Sequence, residues 1–323
     1  MPRGINGGLF APAQHSAVNN FLGIDIGGTK IAGAVVSAEG RVVRRLDVPT
    51  PALHGGPRVL EAALSLARTL RAGETLAGVG IGAGGQIDAA RGVVLSATGL
   101  LPGWAGTEIK RAFEDGLRLP AFADNDVNAL AVGEWRFGAA RGLSTVVFLA
   151  IGTGRGGALL INGQVHHGAH GSGGEFGHLL VSDGLDARRD AGGHAGTWEA
   201  YVSGPGLAQT YRELAGESAP RLHGRDMADA ARRAPSGPAA QALTRTGEWL
   251  GFGLVSLANA LDPDAVIIGG GLSELGDALL APARAVLAAR ALPGPAQCPV
   301  SVATLGADAG VVGAAALAMG ASH

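Results

Sequence analysis

A single cysteine, Cys298, stands in 323 residues, so neither an internal disulfide nor a thiolate cluster can form within one chain. Nothing here asks for an oxidising compartment. Aromatic residues make up only 4%, which leaves Ala, Val, Leu and Ile to fill the interior around closely approaching backbone. Charged residues are also few, and a net charge of -2 gives no basic footprint for nucleic acid and no polybasic patch for a membrane. No apolar run approaches the ~20 residues of a membrane span. The first twenty residues, MPRGINGGLFAPAQHSAVNN, hold one arginine and no apolar core of signal-peptide length, and read as a flexible leader of a cytoplasmic protein. The remainder is globular in composition and long enough for two domains.

What the chain has in abundance is glycine, 55 residues of it, and one glycine-rich phrase occurs twice. Phe21 opens FLGIDIGGTKIAGAVVSAEGRV and Phe148 opens FLAIGTGRGGALLINGQV. Each copy is an apolar run, a glycine break, a second apolar run and a turn dipeptide, Glu39-Gly40 or Asn162-Gly163. The pattern predicts strand, tight loop, strand and hairpin turn. Glycine in such a loop lets backbone N–H groups approach an anion that a Cβ would keep away. Two matched loops predict a polyphosphate gripped between two related domains.

Along the chain, Pro57 to Arg71 reads as a helix with Val59, Leu60, Ala63, Leu64, Ala67 and Leu70 on one stripe, ended by Gly73. Leu76 to Ile81 reads as a buried strand, followed by the glycine turn GAGGQID and a short extended piece at Val93 to Leu95. AFADNDVNALAVGEWRFGAARG runs from strand into helix, with Asp124, Asn125 and Asp126 at the junction where active-site groups gather in an open α/β sheet. A second domain begins near Leu143. The polar stretch SDGLDARRDAGGHAG, 182–196, reads as an ordered excursion or a lid. Gln241 to Leu261 is a helix stopped by Asp262-Pro263, then come the strand AVIIGG, a helix from Ser273 to Ala289, the strand PVSVATL and a last helix after Gly310. Strand and helix alternate throughout, which makes the fold class α/β.

Several residues are candidates for chemistry. In DIGGTK, Asp25 can hold Mg²⁺ directly or through water, while Gly27, Gly28, Thr29 and Lys30 face phosphate; the alternative is a hairpin whose Asp makes an Asx turn. Gly152, Thr153 and Gly154 form the second phosphate loop, their weight resting on register with the first. Asp126 is the candidate general base, with Asn125 hydrogen-bonding a hydroxyl; the alternative is that this acidic cluster only caps the following helix, Asp124 serving as cap. Glu175 and His178, three apart in GGEFGH, fall on one side of a helical turn and with Glu199 can saturate the hydroxyls of a sugar. A solvated Glu and a packed His are the plainer alternative. Gly269, Gly270 and Gly271 follow a buried strand, as a tight turn or as backbone against which a purine slides.

Together these segments resemble the ROK family of sugar kinases, within the actin-like ATPase superfamily, from Phe21 to the last helix. DIGGTK and IGTGRGG match its phosphate segments, ADNDVNA its END-type motif, GAHGSGGEFGH its sugar loop, WEAYVSG the segment after its metal cluster, and IIGGG with DAGVVGAA its adenosine side. The resemblance implies two RNase H-like domains around a central cleft, 21–142 and 143–308, with the last helix, about 309–323, returning to the first. It implies ATP and Mg²⁺ as cofactors, Asp126 as general base, Asn125, Glu175, His178 and Glu199 as sugar ligands, and a homodimer or homotetramer.

One departure is large. Where the family pattern carries CxCGxxGC, this chain reads DAGGHAGT, so Asp190, Gly192 and Thr197 occupy cysteine positions and His178 alone remains of four zinc ligands. Zinc is therefore not expected, and burial of Trp198 is expected to make up for the lost clamp. GAGG at 82–85 lacks a proline often found there, and ATGLLPGW lacks a common Asn. The expectation is an ATP-dependent hexose kinase, glucose to glucose 6-phosphate first, with N-acetylmannosamine or fructose as other substrates. The alternative is a sugar-binding or regulatory relative without turnover. A DNA-reading repressor is disfavoured, since the twenty leading residues hold two prolines and glycine breaks where a helix-turn-helix would stand.

Overall fold

The computed structural model describes residues 20–97, 101–152 and 154–320. Residues 1–19 of the expected leader, part of ATGLLPGW, Thr153 of the second glycine loop and the last three residues of the expected C-terminal helix lie outside them.

Both copies of the repeated phrase build the same piece of sheet. β1 (Asn20–Ile26), β2 (Lys30–Val36) and β3 (Val42–Pro49) pair antiparallel, and β8 (Thr145–Ile151), β9 (Arg155–Ile161) and β10 (Gln164–Val165) repeat the arrangement. Parallel strands then extend each sheet. The first has the order β3-β2-β1-β4-β7, with β4 at Leu76–Ala83 and β7 at Ala121–Asn125; the second has β10-β9-β8-β11-β12, with β11 at Ala265–Gly269 and β12 at Val300–Val302. A small two-stranded sheet, β5 (Gln86–Asp88) and β6 (Val93–Ser96), stands beside the first. The turn dipeptides are real hairpin corners: Asn162 and Gly163 both have positive φ, 52° and 75°, as a type I′ turn requires.

Helices cover the faces according to strand alternation. Leu22, Ile24 and Ile26 of β1 face α1 (Gly56–Arg71) and α2 (Ile109–Leu117), burying Val59, Ala63, Leu66 and Phe113. On the opposite face, Phe21, Ala32 and Val36 pack on Val311, Val312 and Ala315 of α9 (Ala309–Met319). α9 lies on backbone there: a Cβ at Gly23 would stand 1.9 Å from the Val311 carbonyl oxygen and one at Gly80 1.8 Å from that of Ala314. α3 (Asp126–Phe137) fills the space towards the second sheet, its Ala131 and Val127 packing on Phe148, Ala158 and Leu160. The far face of the second sheet carries α4 (Trp198–Tyr201), α5 (Gly204–Ala215), α6 (Gly224–Arg233), α7 (Pro238–Leu261) and α8 (Asp277–Arg290). No helix among the described residues is long and apolar enough to cross a membrane.

Some expected elements differ. The helix expected from Ser273 is a 3₁₀ turn, Gly271–Leu275, separated from α8 by Gly276 at φ 55°, ψ -137°, a conformation that cannot continue a helix. α7 begins at Pro238, whose missing N–H costs nothing at a first turn. The strand expected over PVSVATL shrinks to three residues. Helices α2, α5 and α6 have no counterpart in the sequence reading.

Candidate active site

A cavity of about 750 Å³ opens between the sheets, lined by Gly27 and Gly28 after β1, Gly84 to Gln86 after β4, Asn125 and Asp126 at the β7–α3 junction, and Gly154, Glu175 and His178 from the second sheet's side. Strand ends deliver most of these groups, as expected of an open sheet. A second cavity of about 720 Å³ is lined by Gly152, Gly204, Tyr211, Arg212, Gly271 and Leu272. The loop Gly152–Gly154 contributes to both.

Asp25, next to the last residue of β1, has its carboxylate against the backbone of Gly310, where a Cβ would meet Oδ2 at 2.2 Å. Burial, with Asp126 adding repulsion and Lys30 and Arg45 opposing, pushes its pKa from 3.8 up to about 6. Asp126, the first residue of α3, is half-buried, and this desolvation raises its carboxyl despite the Val127 amide that donates to Oδ1 at 2.9 Å. Asp126 raises the proton affinity of Asp25, and a carboxylate pair of this kind is a donor set suited to a hard divalent cation. The oxygen donors present are of the kind that a magnesium ion takes.

The helix cap is Asn125 rather than Asp124. Its Oδ1 accepts from the amides of Val127 at 2.8 Å and Asn128 at 3.4 Å, and its Nδ2 donates to the Gly85 carbonyl at 2.9 Å. Asp124 instead accepts from the Asn125 amide and from Asn128 Nδ2. The sequence could not rank the two, since both are good caps and only the backbone decides which stands one residue before the helix.

Glu175 stands just before the 3₁₀ turn Phe176–His178, and Glu175 and His178 line the same cavity. Burial raises the Glu175 carboxyl, His178 opposes, and Glu199 and Asp126 raise it further, so the three carboxylates share one electrostatic environment. Glu199 sits on α4 with its carboxylate 3.1 Å from where a Gly154 Cβ would be.

Some candidates do not line either cavity, Asp25 and Glu199 among them. Thr29 and Lys30 are exposed; Lys30 pairs with Asp47 at 3.3 Å, and the Thr29 carbonyl accepts from the Thr50 amide. Gly269 and Gly270 pack on Phe148 and the Ile151 backbone, leaving Gly271 as the one of the three that lines a cavity. Gln86, Gly84 and Gly310 were missed by the sequence reading, although GAGGQID and DAGVVGAA mark their positions.

The stretch that replaces the family's cysteines is built around Asp190. Its side chain is fully buried, with Oδ1 accepting from the His194 amide at 2.9 Å and Oδ2 from Thr197 Oγ1 at 2.9 Å. Burial raises this carboxyl, but the His194 amide, the Thr197 hydroxyl and the His194 imidazole outweigh it and hold it below the ordinary range. The His178 and His194 imidazoles approach the carboxylate at 3.6 and 3.3 Å, giving three groups with ligand atoms within 4.8 Å of one another. Both rings are more than half exposed, and both carboxylate oxygens already accept hydrogen bonds. A closed four-ligand zinc site does not fit these residues. Next to it, Trp198 is fully buried, donates to the Trp249 carbonyl at 2.7 Å, and rests on α7 at Gly253, where a Cβ would lie 2.0 Å from the ring.

A sequence model of the ROK family matches residues 21–321. The chain belongs to the ROK family. It is 36% identical over 315 residues to a glucokinase of Streptomyces coelicolor, covering 92% of this chain and 96% of that one. A ROK family glucokinase from Streptomyces griseus, solved with glucose and AMPPNP, is 34% identical, covers 93% of this chain and 99% of its own, and superposes with a TM-score of 0.77. A ROK hexokinase from Thermus thermophilus gives 32% identity, coverage of 92% and 97%, and the same TM-score. The fold is that of the actin-like ATPases, α/β sheets about a cleft.

Proposed function

We propose that this chain, an ATP-dependent sugar kinase of the ROK family, phosphorylates glucose to glucose 6-phosphate with Asp126 as general base. The observation that carries the reading is the meeting, in one cavity, of Asp126, Glu175 and His178 with the glycine loops at Gly27–Gly28 and Gly154. A hexose presents several hydroxyls within a few ångströms, and carboxylates with an imidazole can accept from and donate to them at once. Glu175, Glu199 and His178 hold the ring, and the attacking hydroxyl faces Asp126. Its oxygen bonds to the γ-phosphorus as the bond to the β-phosphate oxygen breaks; the proton passes to the Asp126 carboxylate and ADP leaves.

Asp126 is well placed for this because burial raises its proton affinity while its hydrogen bond from the Val127 amide fixes the carboxylate. Asp25 would hold magnesium, directly or through water, which neutralises charge on the transferring phosphoryl group. The glycine loops let the phosphates approach backbone closely, and the second cavity, next to Gly152 and Gly271, receives the nucleoside.

The test is ADP formation by the purified protein with ATP, magnesium and a panel of hexoses. Glucose is expected to be the preferred acceptor. Turnover on none of the sugars would reject the reading, and a strong preference for another hexose would correct its substrate.

A further inference from the structure

The cleft is crossed by a hydrogen bond that the phosphoryl-transfer scheme does not use. Asp124, next to the last residue of β7, has a side chain only 6% exposed. One oxygen accepts from the Asn125 amide at 2.7 Å and from Asn128 Nδ2 at 2.8 Å, and the other meets His167 Nε2 at 2.8 Å. His167 belongs to the other side: it follows β10, and the carbonyl of His167 accepts from the Gly173 amide at 2.8 Å. That bond closes the segment 167–173, and Glu175 follows two residues later.

A continuous set of contacts therefore runs from the sugar loop to the base. The loop ahead of Glu175 is tied to His167, His167 to Asp124, and Asp124 to Asn125 and Asn128, which flank Asp126 on either side in sequence. Gln86 adds a second crossing, its Nε2 donating to the His170 carbonyl at 2.9 Å and to Ser172 Oγ at 2.7 Å; this one is exposed and competes with water.

We infer that His167 is a positioning residue of this kinase: by bonding Asp124 across the cleft it holds the loop carrying Glu175 in register with the strand end carrying Asp126. The inference rests on the proposed reaction. A carboxylate can only accept, so Nε2 carries the proton and donates. The Asp124 hydrogen bond, against the cost of burial and with further attraction from Asp124 and Asp88, holds the imidazole above its ordinary range, so the bond is charge-assisted and stronger than a neutral one. Without it, loop and base can each remain folded on their own sheets while the angle between them loosens. Such misplacement lowers the productive fraction of bound sugar, and displacements of an ångström cost up to about 10²-fold.

The experiment compares His167→Ala with His167→Gln, whose side-chain amide nitrogen can occupy the place of Nε2. Sugar affinity is read by calorimetry and KM and kcat by ADP formation. For the alanine variant, sugar KM and Kd should rise about tenfold and kcat fall several-fold, with the KM for ATP within twofold of wild type and Tm nearly unchanged. The glutamine variant should recover most of the loss. Wild-type sugar affinity and turnover in His167→Ala would overturn the assignment. So would equal losses for both variants, or a parallel rise of both substrates' KM with a lowered Tm. The wild-type protein's own activity decides the proposed reaction separately, and the calorimetric readout needs no turnover.

Discussion

Asp126 acts on Asp25 by charge repulsion: after burial, its charge is the largest influence lifting the Asp25 pKa from 3.8 to about 6. A carboxyl whose folded pKa is raised favours the folded state when protonated, so its ionisation opposes folding above about pH 6 and the opposition fades as pH falls towards 4. A rise of that size corresponds to about 3 kcal/mol when fully expressed.

Asp25→Asn should therefore stabilise the protein in the absence of magnesium at pH 7.5, and the gain should shrink at pH 4.5. The same variant should lose magnesium-dependent turnover, because the charge that destabilises the free protein is the one proposed to hold the cation. Calorimetric Tm at the two pH values and rates across magnesium concentrations read both effects. No gain at pH 7.5, or unaltered magnesium dependence, would contradict the role.

Asp126→Asn tests the base. A positioned base acts in the transition state, so kcat should drop by roughly 10²-fold or more while the sugar dissociation constant changes less. The asparagine amide can still accept from the Val127 amide, which keeps the start of α3 intact. Near-wild-type kcat would remove Asp126 from the chemistry.

The repeat and the two strand-loop-strand units were legible in the sequence because glycine breaks and turn dipeptides act locally, and the two sheets have the same strand order. Asp126, Glu175 and His178 were legible for a similar reason: a junction and a three-residue spacing put them on one cavity. What could not be read depends on contacts distant in sequence. Lys30, expected to face phosphate, has Asp47 of β3 beside it, a partner that local sequence does not reveal. Gly270 looked like part of a purine platform, yet its hydrogen is what lets the Ile151 backbone approach. The Asp25 environment depends on Gly310 at the other end of the chain, and the break at Gly276 needed a backbone angle that composition does not reveal.

Gly253→Ala tests the packing that supports Glu199. The added Cβ would meet the Trp198 ring at 2.0 Å, and a rigid ring on a rigid helix cannot yield without moving α4. Destabilisation of about 1–3 kcal/mol is expected from overpacking, with a raised sugar KM because Glu199 follows Trp198. Trp198→Ala should cost more, about 3–5 kcal/mol, through the cavity it leaves. Denaturant unfolding gives the stabilities, and a sugar KM unaffected in a folded Gly253→Ala protein would uncouple the packing from the site.

Asp190 gathers the His194 amide, the Thr197 hydroxyl and two imidazoles about one buried carboxylate, so a charge within the fold stands where the family pattern places a metal. We expect the purified protein to hold no stoichiometric zinc, and chelation to leave Tm and activity unchanged. Asp190→Ala should then be more damaging than any chelator, because it leaves the Thr197 hydroxyl and His194 amide without their acceptor. Acid should act in the same direction: a carboxyl held below its ordinary range stabilises the fold above pH ~4 and ceases to do so as pH falls through its folded value. Elemental analysis and thermal unfolding with and without chelator decide the matter. One zinc per chain together with a Tm lowered by chelation would show that His178, Asp190 and His194 hold a metal after all.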